Sequence, residues 1–398
     1  MTIAGIIAEY NPFHNGHAYQ INSTRTRGAT HVVACMSGNF TQRGECAILP
    51  KHTRAKAALL GGADLVVELP LPYAVSSAER FAFGGVSILN ALGCVELLSF
   101  GSECGDAMQL ENAARALDHP DFSPVLKKHL KEGTVFPRAR QLALHEALGG
   151  ETAEVLSHPN NTLGVEYIKA LHRLNSGIAP MTIPRKGAAH ESDSASGAFA
   201  SASLLRRRML EDDKSWAGYV PQDAADLYRA KVSDGHAPCT LMRLERAVLA
   251  RLRALPREAF TRFPDVTEGL EGRIYKAVRA ATGLDELYSL IKSKRYTLSR
   301  VRRMVLCAFL GVETALQLQP PPYIRVLGFN ARGAEILARA KDTASLPVGT
   351  SLADMVRLGG DGKRFAELEA AATDLFVLCA PDAQACGLDF TMKPVIIN

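Results

Sequence analysis

The chain has 398 residues, 47% hydrophobic and 22% charged, enough for two or three domains with proper cores and ordinary for a globular protein. A formal charge of +5 with a pI near 8.7 is mildly basic and does not by itself mark a nucleic-acid binder, so the placement of the charge decides. The N-terminus has no basic stretch leading into a long apolar segment, and no run is long enough to span a bilayer, so a cytoplasmic protein without a membrane partner is expected.

Ile3, Ile6 and Ile7 form a short apolar run without helical period, which predicts a central parallel strand covered on both faces. Asn11-Pro12 ends it, because the residue before proline avoids the helical region. His14-Asn15-Gly16-His17 then opens a helix. Two histidines three residues apart project from one side of it, and the glycine between them admits a ligand close to the backbone. Free N–H groups and the positive dipole of a helix start favour phosphate. A His-x-x-His metal site and a plain pair of partly exposed histidines remain alternatives, although no cysteine or third histidine stands at ligand spacing.

Tyr19 to Arg27 is helical and basic, and Thr30 to Cys35 is a second strand, which makes a βαβ unit. The following loop, Met36-Ser37-Gly38-Asn39-Phe40-Thr41-Gln42-Arg43-Gly44-Glu45, falls at the carboxyl end of a parallel strand, where open α/β sheets bind ligands. Phe40 beside Gln42 and Arg43 favours a substrate loop over a plain solvated one, with Asn39, Gln42 and Arg43 as its candidate binding residues.

A helix runs from Pro50 to Leu60 and ends at Gly61-Gly62. Ala63 to Pro70 is a third strand, Ser76 to Leu92 a helix, and Val95 to Phe100 a fourth strand ending in Gly101-Ser102-Glu103. Strands separated by helices in this way call for a doubly wound α/β fold with a Rossmann-like parallel sheet. Residues 106–150 read as helical, with breaks at Pro120 and Gly149-Gly150. Pro159 to Gly164 predicts a polar turn before the helix 165–171, and Met181 to Pro184 a fifth strand. The segment Arg185 to Asp193 is basic first and flexible after. Phe199 to Arg208 opens a helix with Ser201 and Ser203 near its start and Arg206 beyond. Such serines serve either as N-caps or, with an arginine, as a phosphate clamp.

Composition shifts between Lys214 and Asp223, around the only tryptophan, Trp216. The expected division is an α/β domain, 1–212, and a mainly helical, basic C-terminal region, 213–398. The densest basic run holds Lys292, Lys294, Arg295, Arg300, Arg302 and Arg303, with Tyr296 among them and no acidic residue. It suits a phosphate backbone, a solvated helix face being the alternative. Tyr323 to Phe329 reads as a strand or an apolar turn, followed by helices whose packing the pattern leaves open. The eight cysteines form no C-x-x-C pair and several sit in apolar stretches, so buried reduced thiols are expected.

His14-Asn15-Gly16-His17 after a first strand, paired with Ser201-Ala202-Ser203-Leu204-Leu205-Arg206, resembles the nucleotidyltransferase superfamily with its His-x-Gly-His motif. Nearly the whole chain is similar to the bacterial tRNA(Met) cytidine acetate ligase family. The similarity is carried by residues 5–17, 36–45 and 62–70, by Asn160-Asn161-Thr162-Leu163-Gly164, and by Ile291-Lys292-Ser293-Lys294-Arg295-Tyr296-Thr297. Ala202 and Ser203 depart from the superfamily's second motif, and Cys46 and Lys186 from the family pattern.

The resemblance implies that ATP activates acetate as acetyl-adenylate and that the wobble cytidine of elongator tRNA(Met) takes the acetyl group. It places ATP on Ile7-Ala8-Glu9-Tyr10-Asn11-Pro12-Phe13-His14-Asn15-Gly16-His17-Ala18-Tyr19-Gln20, Gly101, Asn161, Arg185 and Lys186. His14 and His17 are the expected catalytic pair, and Ser201, Ser203 and Arg206 the pyrophosphate clamp. Gln42 and Arg43 would face acetate or cytidine, and the basic run would track tRNA. Mg²⁺ is expected with ATP, no protein-bound metal is, and no obligate protein partner is evident. A small-molecule adenylyltransferase of the same fold would not need the basic helical region, and a non-catalytic RNA-binding protein would not need the His-x-Gly-His motif.

Overall fold

The computed structural model describes residues 1–148, 153–185, 197–267, 269–294 and 296–398. The expected stop at Gly149-Gly150 and the segment from Lys186 to Asp193 lie outside them, as does Arg295. The strands are β1 (Ile3–Ala8), β2 (His31–Ser37), β3 (Phe40–Thr41), β4 (Glu45–Cys46), β5 (Leu65–Leu69), β6 (Leu97–Ser102), β7 (Ala179–Pro184), β8 (Ile324–Phe329), β9 (Val348–Gly349) and β10 (Val395–Ile396). Eight of them form one sheet in the order β10-β8-β5-β2-β1-β6-β7, with β9 alongside β8.

β1 pairs parallel with β2 on one side and β6 on the other. The chain winds outward from β1 in both directions, so the crevice at the carboxyl ends of β1 and β6 is the topological switch point where such sheets bind ligands. Side chains alternate across β1. Ile3 and Ile7 join a core with Leu89, Leu98, Phe100 and Tyr167. Ile6 joins the opposite core, with Phe13, Ile21, Leu205 and Tyr228. A strand buried on both faces has no polar position, which is why its sequence reads as a plain apolar run.

The helices Gln222–Ser233, Glu245–Arg253, Leu270–Ala280, Leu284–Ile291 and Leu298–Leu310 follow, as the helical expectation for this region requires. Most of their apolar faces meet in a third core that also takes in Phe40 and Cys46 of the short β3–β4 hairpin. The chain then crosses back: β8 pairs antiparallel with β5, and β10 pairs parallel with β8. The 213–398 region therefore contributes strands to the sheet of the first 212 residues.

Locally, Pro159–Arg173 is one helix, so the stretch expected as a polar turn forms its first turns. The helix expected from Phe199 starts at Ala202. Six cysteines are buried, Cys104 is half-buried and Cys386 is exposed, all as free thiols. Among the described residues, no helix is long and apolar enough to cross a membrane.

Candidate active site

The site grows from the end of β1. Tyr10 takes a left-handed φ of 47°, turning the chain sharply out of the sheet. His14 is not inside the helix but caps it. Its Nδ1 accepts the Gly16 N–H at 3.0 Å, and His17 Nδ1 accepts the His14 N–H at 3.2 Å, a reciprocal capping box built from two imidazoles. A nitrogen that accepts from N–H carries no proton, so both rings are held as the neutral tautomer with the proton on Nε2. Burial drives the His14 pKa down to about 3, with Arg185 and Arg206 adding to the effect. Burial also pushes His17 well below its ordinary value, with His14 and Arg185 contributing. The two motif histidines are thus neutral hydrogen-bond donors. Gly16 is required because a Cβ there would lie 2.8 Å from His14 Cε1. Tyr10 and Phe13 support His17 from below, with ring centroids 4.8 and 5.6 Å away.

The late serine-arginine helix docks against this turn. Arg206 Nη1 donates to the Asn11 carbonyl at 2.9 Å and Nη2 to Ser203 Oγ at 3.3 Å. Ser201 caps its helix by accepting the Leu204 N–H. Asn15 Nδ2 donates to the Ala198 carbonyl, and the Tyr19 ring meets Phe199 edge-on. The two halves of the motif, nearly 190 residues apart, therefore form one wall.

On the other side, Gln20 Nε2 donates to the Ser99 carbonyl of β6. The stem of Arg185 lies over Gly101, and its guanidinium donates to Asn160 Oδ1 at 3.3 Å. Asn161 is buried and its side-chain oxygen accepts from the N–H groups of Glu103 and Cys104, so it shapes the loop after β6. Lys186 lies outside the described residues.

The 36–45 segment is less of an open loop than its polarity predicts. Phe40 is buried against Phe376. Asn39 is buried and its amide is used inside the protein, accepting the Lys51 N–H at 2.9 Å and donating to Thr373 Oγ1 at 3.2 Å. Gln42 is tied to the site through its N–H, which donates to Glu9 Oε1 at 2.8 Å. Burial raises the Glu9 pKa against that bond and against Arg206 and Arg43.

Sequence reasoning missed two supports beneath this segment. Arg54 is fully buried and donates to the carbonyls of Leu49, Glu9, Ser37 and Gly38, clipping together the ends of β1 and β2. Beside it, Lys51 bonds Glu68 and Asp389 at 2.7 Å each, and Arg325 bonds Glu68 at 3.0 Å and Asp389 at 2.8 Å. Glu369 completes this buried group by accepting the Leu71 N–H. Three carboxylates against two cations leave one in excess, and burial beside Glu68 pushes the Glu369 pKa up to about 8. The only sequence signal was the presence of Lys51 and Arg54 on an alanine-rich helix, and nothing local identified their partners.

The basic run divides. Lys292 and Lys294 are exposed, and Arg295 lies outside the described residues. Arg300 is half-buried, donates to the Asp265 carbonyl at 2.7 Å and lies over the Tyr296 ring. Arg302 pairs with Glu45, and Arg303 pairs with Asp265 at 3.0 Å. The run holds no acidic residue, but the fold brings two to it.

A family model described as HIGH Nucleotidyl Transferase matches residues 1–388. The tRNA(Met) cytidine acetate ligase of Thermoanaerobacter sp. (strain X514) is 39% identical over 404 residues, covering 100% of each chain. The protein of that name from Caldicellulosiruptor saccharolyticus is 41% identical over 411 residues, covering 100% of this chain and 99% of the relative. The crystal structure of apo Thermotoga maritima TmcAL superposes with a TM-score of 0.94 at 34% identity, over 100% of both chains. TmcAL bound with alpha-thio ATP gives 0.92, also over 100% of both chains.

Proposed function

Because the chain belongs to the HIGH nucleotidyl transferase family, and within it to the tRNA(Met) cytidine acetate ligases, we propose that it joins acetate to the wobble cytidine of elongator tRNA(Met) at the expense of ATP. An acetate oxygen attacks the α-phosphorus, the bond to the β-phosphate breaks, and pyrophosphate leaves. The cytidine N4 then attacks the acyl carbon of acetyl-adenylate, loses a proton, and AMP departs.

The observation that carries this function is the pair of neutral Nε2–H donors on His14 and His17 beside Arg206, at the switch point of the sheet. Acetate is a poor electrophile, and its activation depends on positioning and on stabilising charge at the phosphates. Donors that are already neutral and fixed by capping bonds need no reorganisation as that charge develops. In this scheme His14 and His17 donate to the α-phosphate, while Ser201, Ser203 and Arg206 hold the departing pyrophosphate. Residues 7–20, with Gly101, Asn161 and Arg185, line or shape the nucleotide pocket, and the family resemblance assigns Lys186 to ATP as well. Gln42 and Arg43 face the acetate and cytidine side. Mg²⁺ enters with ATP as part of the substrate. Lys292, Lys294 and Arg295 meet tRNA phosphates, and the work is done in the cytoplasm where the tRNA is.

Incubating the protein with ATP, labelled acetate and bulk tRNA, followed by nucleoside analysis, tests this. Acetylcytidine that forms only when all three are present is the expected result. Transfer of AMP to a small molecule, without modified tRNA, would overturn it.

A further inference from the structure

The β3–β4 hairpin is gripped from two sides. On the site side, the Gln42 N–H donates to Glu9. On the other, the hairpin lies on the start of helix Leu298–Leu310. Glu45 pairs with Arg302 through Oε1, while its Oε2 stands 4.0 Å from Arg206 Nη2. Arg303 Nη1 reaches toward the Gln42 carbonyl at 3.4 Å. Between these bonds Gly44 has a left-handed φ of 76°, and a Cβ there would sit 2.5 Å from the backbone of Arg302 and Arg303. An ordinary half-exposed ion pair contributes little. This one belongs to a close-packed junction and links two arginines of different helices through one carboxylate.

We infer that Glu45 and Arg302 are positioning residues that set the Gln42-Arg43 tip for acetate activation, rather than elements of the RNA-binding surface. Arg303, held by Asp265 and directed at Gln42, assists from the same helix. The inference rests on the acetate-activating function proposed above. It separates the basic run into exposed lysines available to RNA and half-buried arginines engaged with the hairpin.

The test compares wild type, Glu45→Gln, Arg302→Ala and the double variant in acetate-dependent ATP–pyrophosphate exchange without RNA. The expected result is a rise in the KM for acetate of roughly tenfold or more in each single variant, with the KM for ATP unchanged in Arg302→Ala, whose side chain does not touch the pyrophosphate clamp. The double variant should be no worse than the worse single, because both remove one interaction. Unaltered exchange in Arg302→Ala, with weaker tRNA binding and a shallower salt dependence, would overturn the inference. Amide hydrogen exchange decides the matter independently of turnover: faster exchange at residues 42–46 in Arg302→Ala is expected, and unchanged exchange would overturn it. A wild-type protein with no acetate-dependent exchange would count against the proposed function instead.

Discussion

The imidazole rings of His14 and His17 stack at 3.8 Å, 24° from parallel, with each Nδ1 already accepting a backbone N–H. The stacking leaves only the Nε2–H of each ring for a ligand. The two rings therefore act as a matched pair of donors, and neither is arranged to take up a proton.

His17→Ala is expected to lower acetate-dependent ATP–pyrophosphate exchange by about 10²–10³-fold, the usual loss for one donor aimed at developing charge. tRNA binding should be unchanged, which filter binding would check. Because burial holds His14 down at about 3, the exchange rate should show no acid limb from these histidines near their ordinary pKa.

Glu369 supplies a pH dependence of stability with a definite sign. Its folded pKa, about 8, lies above the 4.5 of a free carboxyl, so the folded protein holds a proton that the unfolded chain releases. Its contribution is full below the unfolded value and is lost as pH rises through the folded one. Glu369→Gln keeps an acceptor for the Leu71 N–H and cannot ionise. Its urea midpoint should decline less than that of wild type between about pH 5 and about pH 8.

Arg54→Met should destabilise the fold by more than about 3 kcal/mol, because four carbonyls lose a charged donor in a site closed to water. Arg54→Lys should recover only part of this, since one ammonium cannot span the fork of a guanidinium. Chemical denaturation of both variants measures the difference.

Replacing Lys292 and Lys294 by glutamine should weaken tRNA binding while leaving acetate-dependent exchange intact. The slope of log affinity against log salt should fall by about one for each phosphate that the protein no longer neutralises. A titration at several salt concentrations provides the check.

What the sequence by itself determined is local or periodic. The apolar run of β1, the break at Asn11-Pro12, the helix opened by His14 to His17 and the serine-rich start before Arg206 are each set by neighbours a few residues away. Their backbone preferences therefore show in the string of residues. The family motifs added the pairing of the two halves. The tertiary structure decided what depends on partners far along the chain. It made His14 a cap and Gly16 the space for its ring. It buried Asn39 and Arg54 under the hairpin, and brought Arg325, Glu369 and Asp389 back to Lys51 and Glu68. It also paired Arg302 with Glu45, 257 residues away. A charged side chain is written the same way whether it meets solvent or a buried carboxylate. The return of β8 to the edge of β5 carries Arg325 to Glu68, and the helices that follow carry Glu369 and Asp389 to the same place.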